Sequence, residues 1–389
     1  MQRPKGYQLT EQKIMNRRQL LKFFSLLPLT HSAIGWSQSG KSASTSRNIV
    51  VAQIVDFSQE QRDVSKDFLA GSRAVWLDIN SHGGIHGRNV THLALETDGT
   101  PASLRIALDS IKDNPSCVVL SGSVGDSVAS QILALSRQNE LNFAHAAPWL
   151  QNSSLEVDDK TFSIFAARQE QISYAIKNLS VMGMSEIGAI YATTADFNAY
   201  HFEVERIAAA SHFKLQTFQG VGDLHGLGQK LTTRTPAVLL FIGGTPELAA
   251  FTNGMEKQAR QRFVVALADV NLQTMADMGA ARTTAVIATQ PVPLVNARLP
   301  LIRSYRETMS RLFDEPPTPL SLAGYIAARY TYEVLDDIEG AVTRQSVLNT
   351  FRKKTSKNIG GFRVSFDAQG RSTSYVTQSM MTQEGRLIG

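Results

Sequence analysis

The chain has a single cysteine, Cys117, so an intrachain disulfide is excluded. Placed in the apolar run Cys117–Leu120, that side chain reads as a small buried group. Apolar runs long enough to span a bilayer are also missing; the one at Phe23–Leu29 is too short. Several chemistries are missing too. There is no G-x-S-x-G nucleophile elbow. In the body, from Ile49 onward, no glycine-rich loop ends in Gly-Lys-Ser/Thr, and Gly122–Ser127 shares only its glycines with a phosphate loop. His82 and His86 stand four apart, but Gly83-Gly84 between them prevents the helix that would align them on a metal. The acids are dispersed, with no pair placed for acid–base work. No enzyme, cofactor or metal site is therefore expected. A net positive balance in the body is missing as well. Six of the 39 basic residues and one of the 34 acidic residues fall within the first 36, leaving 33 of each. The formal charge of +5 thus belongs to the leader, and no footprint for nucleic acid remains.

What is present is a leader and an alternating body. Asn16-Arg17-Arg18-Gln19-Leu20-Leu21-Lys22 precedes a short apolar run and then small polar residues, the pattern of a signal peptide over 1–36. A Ser-rich linker follows over 37–47. At 389 residues the chain is long enough for two or more domains, and 43% hydrophobic residues suit a sizeable core.

The stretch around which the body is organised is Gly71–Gly87, a helix that ends in the glycine turn Gly83-Gly84. Apolar strands flank it at Ile49–Val55 and Val90–Glu96, giving a β-α-β opening. Further strands are predicted at Cys117–Leu120 and Asn142–Ala146, with helices at Pro101–Lys112 and Val128–Gln138. Phe162–Ala167 reads as a crossing strand. A second series then runs from a helix at Gln171–Met182 to a strand at Ala285–Thr289. Helices at Pro300–Phe313, Ser321–Glu339 and Ser346–Lys353 follow, then strands at Gly360–Phe366 and Tyr375–Met381. Such alternation predicts an α/β fold with parallel sheets, and two series predict two sheets. In open α/β sheets ligands bind beyond the carboxyl ends of the strands, so two facing lobes put the site in the cleft.

The run Asp78-Ile79-Asn80-x-x-Gly83-Gly84-Ile85-x-Gly87 resembles the periplasmic binding proteins for leucine, isoleucine and valine and their relatives. Leu120–Ser127, Ile242–Glu247, Leu322–Arg329 around Gly324-Tyr325, and Gly360–Gly370 continue the resemblance from about Ile49 to Gly389. Arg17-Arg18 ahead of Leu21-Lys22 resembles a twin-arginine export signal, from which Asn16 and Leu20 depart. The resemblance implies the type I periplasmic binding fold, two lobes with three crossings. The N-terminal lobe is then 48–165 and 291–355, and the C-terminal lobe 166–290 and 356–389. It implies a monomer in the periplasm that binds a small molecule and serves the membrane subunits of an ABC transporter, or a sensor of the same fold. An amino acid, an amide or a small organic acid would suit the fold.

The resemblance also implies site residues. The first lobe would offer the helix start Gly125, Asp126 and Ser127, where free N–H groups and the helix dipole favour an anion. Asp126 stands where relatives often carry Ser or Thr, and a carboxylate there either repels an anion or caps the helix. Ala146 and Trp149 lie at the end of the next strand, Trp149 either flooring a pocket or packing. Phe197 and Thr245 would come from the second lobe. Asp269 would hold a ligand amino group or stand as a solvated loop acid.

Overall fold

The computed structural model describes residues 48–389 except 139–140, 153–154, 221, 280–283, 368–371, 373–374, 382–386 and 389. The predicted leader and linker, residues 1–47, lie outside the described residues.

The first lobe is built from β1 (Ile49–Asp56), α1 (Arg62–Ser81), β2 (Val90–Thr97), α2 (Pro101–Lys112), β3 (Cys117–Ser121), α3 (Asp126–Arg137), β4 (Ala144–Ala146) and β5 (Thr161–Phe162). Its five strands are parallel in the order β2-β1-β3-β4-β5. Every residue of β1 is buried, as expected for a parallel strand covered on both faces. Its one amide, Gln53, is satisfied inside: Nε2 donates to Gly122 O at 2.7 Å, and Oε1 lies 2.9 Å from His92 Nε2. Burial pushes the His92 imidazole down to about 4, so it stays neutral.

The second lobe continues through α4 (Arg168–Val181), β6 (Glu186–Tyr191), α5 (Thr194–Ala210), β7 (Lys214–Gln219), α6 (Leu224–Lys230), β8 (Val238–Ile242), α7 (Thr245–Met255), β9 (Phe263–Ala266), α8 (Leu272–Asp277) and β10 (Ala285–Gln290). The chain then returns through α9 (Pro300–Leu312), α10 (Pro319–Asp336), α11 (Arg344–Arg352) and a hairpin, β11 (Lys357–Ile359) and β12 (Phe362–Val364). It ends in β13 (Thr377–Met381) and β14 (Leu387–Ile388). The second sheet runs β14-β13-β10-β9-β8-β6-β7, with β13 antiparallel to both its neighbours, β10 and β14.

The organising helix turn has a specific physical basis. Asn80 faces the start of β2 with both ends of its amide: Nδ2 donates to Val90 O and Oδ1 accepts from Val90 N, each at 2.8 Å. Gly83, Gly84 and Gly87 all take positive φ, and Gly84 N closes the helix on Ile79 O at 2.9 Å. The same helix packs on α10 backbone to backbone. A Cβ on Gly71 would lie 1.8 Å from Ser321 O, and one on Gly324 would lie 1.8 Å from Phe68 O. Those two glycines let α10 return from the far end of the sequence and seal the first core.

Three stretches differ from the sequence reading. Helix α6 was not expected, because Gly226 and Gly228 weaken helix propensity. Asp223 caps it, donated to by Gly226 N at 2.6 Å, and the bare Gly228 and Gly254 permit close packing on α7. The expected strand Gly360–Phe366 is a hairpin whose tip, Gly360-Gly361, takes positive φ. Its Ile359, Phe362 and Val364 bury in the same core as Trp76 and Leu301, so this segment packs with the first lobe. The expected strand over 162–167 ends at Phe162, and α4 begins at Arg168.

Gly324→Ala should destabilise the protein by about 1–3 kcal/mol or more, since the clash is with backbone that no rotamer change relieves. Urea unfolding checks this; an unchanged midpoint would contradict the close helix crossing.

Candidate functional site

Segments that follow strands of the two sheets meet where Tyr200 reaches Asp126 and Asn271 reaches Asp67. In the first lobe, β3 leads to Gly125, whose φ of +100° only glycine adopts without strain. A Cβ there would also lie 2.6 Å from Cβ of Asp56, the last residue of β1. Helix α3 then starts at Asp126. The side chain of Asp126 does not cap its own helix. Its Oδ1 accepts from Gln151 N at 2.7 Å and Asn152 N at 2.9 Å, which pins the loop after β4. Ser127 is exposed, and its hydroxyl accepts from Gln131 Nε2 at 3.1 Å. Ala146 is buried in β4, and its carbonyl accepts from Gly122 N.

Trp149 is 1% exposed and packs edge-on against Phe68 and Phe165, with centroids at 5.7 and 5.3 Å. It also lines a narrow cavity between the lobes with Ala268, Leu272, Gln290 and Leu320, so it both packs and bounds a void.

In the second lobe Asp269 is neither solvated nor free. It is 8% exposed, and its Oδ2 pairs with the guanidinium of Arg168, itself 7% exposed. Arg168 also stacks over the Tyr200 ring with its guanidinium carbon 4.3 Å from the centroid. Asp269 contacts this guanidinium directly, and the charges of Asp126 and Asp196 also favour its protonated form. Burial raises the carboxyls of Asp126 and Asp196, with Arg168 opposing the shift. Burial likewise pushes the Tyr200 hydroxyl above its ordinary range. That hydroxyl lies 3.5 Å from Asp126 Oδ2, so the cluster spans both lobes. A second bridge runs from Asn271 Nδ2 to Asp67 Oδ2 at 2.9 Å.

Phe197 and Thr245 serve packing and turn geometry in this form. Phe197 stacks on His201 at 4.2 Å and meets Tyr191 edge-on at 5.3 Å. The Thr245 hydroxyl accepts from Asn271 N at 2.9 Å.

Sequence reasoning missed Arg168 and Tyr200. A signal for Arg168 existed: a cation in the first turn of a helix opposes the dipole and needs a carboxylate partner. It also missed a nucleophile–base contact. Ser123 Oγ lies 2.5 Å from His145 Nε2. The two are 0% and 2% exposed, and burial lowers the imidazole to about 4. The pair ties β4 to the loop before α3, sealed from any substrate in this form.

A family model described as periplasmic binding protein matches residues 48–384. No curated protein matches by sequence. Among solved structures, an extracellular ligand-binding receptor from Verminephrobacter eiseniae is similar at 18% identity and a TM-score of 0.79, over 88% of this chain and 100% of that one. The branched-chain amino acid transporter substrate-binding protein of Streptococcus pneumoniae, in complex with isoleucine, is similar at 14% identity and a TM-score of 0.73, over 88% and 98%. A solute-binding protein of an ABC transporter from R. palustris, in complex with benzoate, is similar at 10% identity and a TM-score of 0.72, over 88% and 95%. At these identities the similarity establishes the fold.

Removing the guanidinium should cost more than removing one acid, because three carboxylates share it. Arg168→Met should lose about 3–5 kcal/mol of stability, and Asp269→Asn distinctly less. Urea unfolding at neutral pH compares them; equal losses would contradict a shared cation.

Proposed function

The chain belongs to the periplasmic binding protein family, and we propose that it captures a small amino-acid-like solute between its lobes and delivers it to an ABC transporter. The observation that carries the reading is the cluster of Asp126, Tyr200, Arg168 and Asp269. It joins residues from both lobes at the carboxyl ends of their strands, where closure around a solute would bury it. The leader, with Arg17-Arg18 ahead of its apolar run, supports export to the periplasm by the twin-arginine route. The isoleucine and benzoate held by relatives of this fold support a solute of amino-acid or small-acid size. Trp149 and the interlobe cavity beside it support an apolar contact for such a solute.

The full-length chain should yield mature protein in the periplasmic fraction. A thermal-shift screen of that protein against amino acids, amides and small carboxylic acids should find at least one stabilising ligand. Small-angle scattering with that ligand should show a smaller radius of gyration. Mature protein in the cytoplasm would contradict export. Absence of any stabilising ligand, or an unchanged radius with one, would contradict capture by closure.

A further inference from the structure

We propose that the interlobe cleft selects small organic cations that also carry an acceptor oxygen, such as basic amino acids, and that Asp126 sets this selectivity. The inference rests on the solute-capture reading above and names the class of solute.

The cluster holds three carboxylates, Asp126, Asp196 and Asp269, against one guanidinium, Arg168. Formally it lacks positive charge, and burial raises the Asp126 and Asp196 carboxyls, so a cation brought beside them would favour their ionised form. A solute that brings an ammonium or guanidinium supplies the missing cation. A solute that brings only a carboxylate meets two obstacles. Asp126 occupies the first position of α3, the helix start whose N–H groups would otherwise receive an anion. Arg168, the other natural anion partner, is already engaged by Asp269. An anion would find only Nε of that guanidinium idle, and without a cation of its own it would add a further negative charge to the cluster.

The acceptor requirement comes from separate atoms. Gln151 is fully buried, and its backbone N–H holds Asp126. Its carboxamide Nε2 has no partner among the described residues. Arg168 Nε, inside the cluster, has none either. Two buried donors without acceptors cost free energy that a ligand oxygen recovers. One region thus offers carboxylates for a cation and idle donors for a carbonyl or carboxylate oxygen on the same solute.

Asp126→Asn is a clean probe. Asparagine Oδ1 retains the acceptor that holds Gln151 and Asn152, so the loop stays pinned while the charge is removed. Isothermal titration of the mature protein with L-arginine, L-lysine, L-isoleucine and benzoate makes the test. Arginine or lysine should bind at least tenfold more tightly than isoleucine or benzoate. Asp126→Asn should weaken the basic amino acid by roughly tenfold to a hundredfold, and isoleucine by less. Isoleucine or benzoate binding as tightly as the basic amino acids would overturn the proposal and leave solute capture standing. So would an Asp126→Asn variant that binds arginine and lysine as the parent does. No heat with any of the four would also overturn it, and the broader stabilisation screen then decides separately whether the protein captures a solute at all.

Discussion

The cleft depends on one buried guanidinium. Arg168 stands at the first position of α4, where the helix dipole disfavours a cation, and it stays there because carboxylates surround it. Asp269 pairs with it directly, Tyr200 lies under it, and Tyr200 in turn reaches Asp126 in the other lobe. Buried ion pairs of this kind are poor sources of net stability, since desolvation offsets most of the attraction. Their value lies in fixing where charge sits. Here they fix an excess of carboxylate at the place where two lobes meet.

The rest of the fold holds that place still. Gly71 and Gly324 let α1 and α10 approach at backbone distance, so the returning C-terminal third closes the first core. Arg344, in α11, donates to the carbonyls of Ile111, Asn114 and Cys117, and so covers the end of α2 beside β3. Strand β3 leads to Gly125 and Asp126, and the Asp126 carboxylate holds the loop from β4. Each step runs from a local sequence choice to the position of one cleft atom.

Much of the fold was legible in the sequence because apolar strands and amphipathic helices alternate with clear periods. The turn at Gly83-Gly84 was readable from glycine alone, and Asn80 needed its partner Val90 to be understood. Helix α6 was hidden because tertiary packing on α7 overrides its glycines. The hairpin at Lys357–Val364 read as one strand because its tip is two glycines within an apolar run. The site was less legible. Asp126 and Asp269 could be named from the family resemblance, but their partners lie 25 and 101 residues away in Gln151 and Arg168. Phe197 and Thr245 were named as cleft residues, and here Phe197 packs on His201 while Thr245 holds Asn271. Which side chain answers a charge is a property of the folded chain, and no local period encodes it.

Hydrogen–deuterium exchange with saturating L-arginine tests the central claim most directly, because it reads both walls of the cleft in one experiment. Added protection is expected at 125–128 and 151–152 in the first lobe, together with 168–171 and the stretch around Asp269 in the second. Protection confined to one lobe, or lying away from these segments, would contradict a solute held between them.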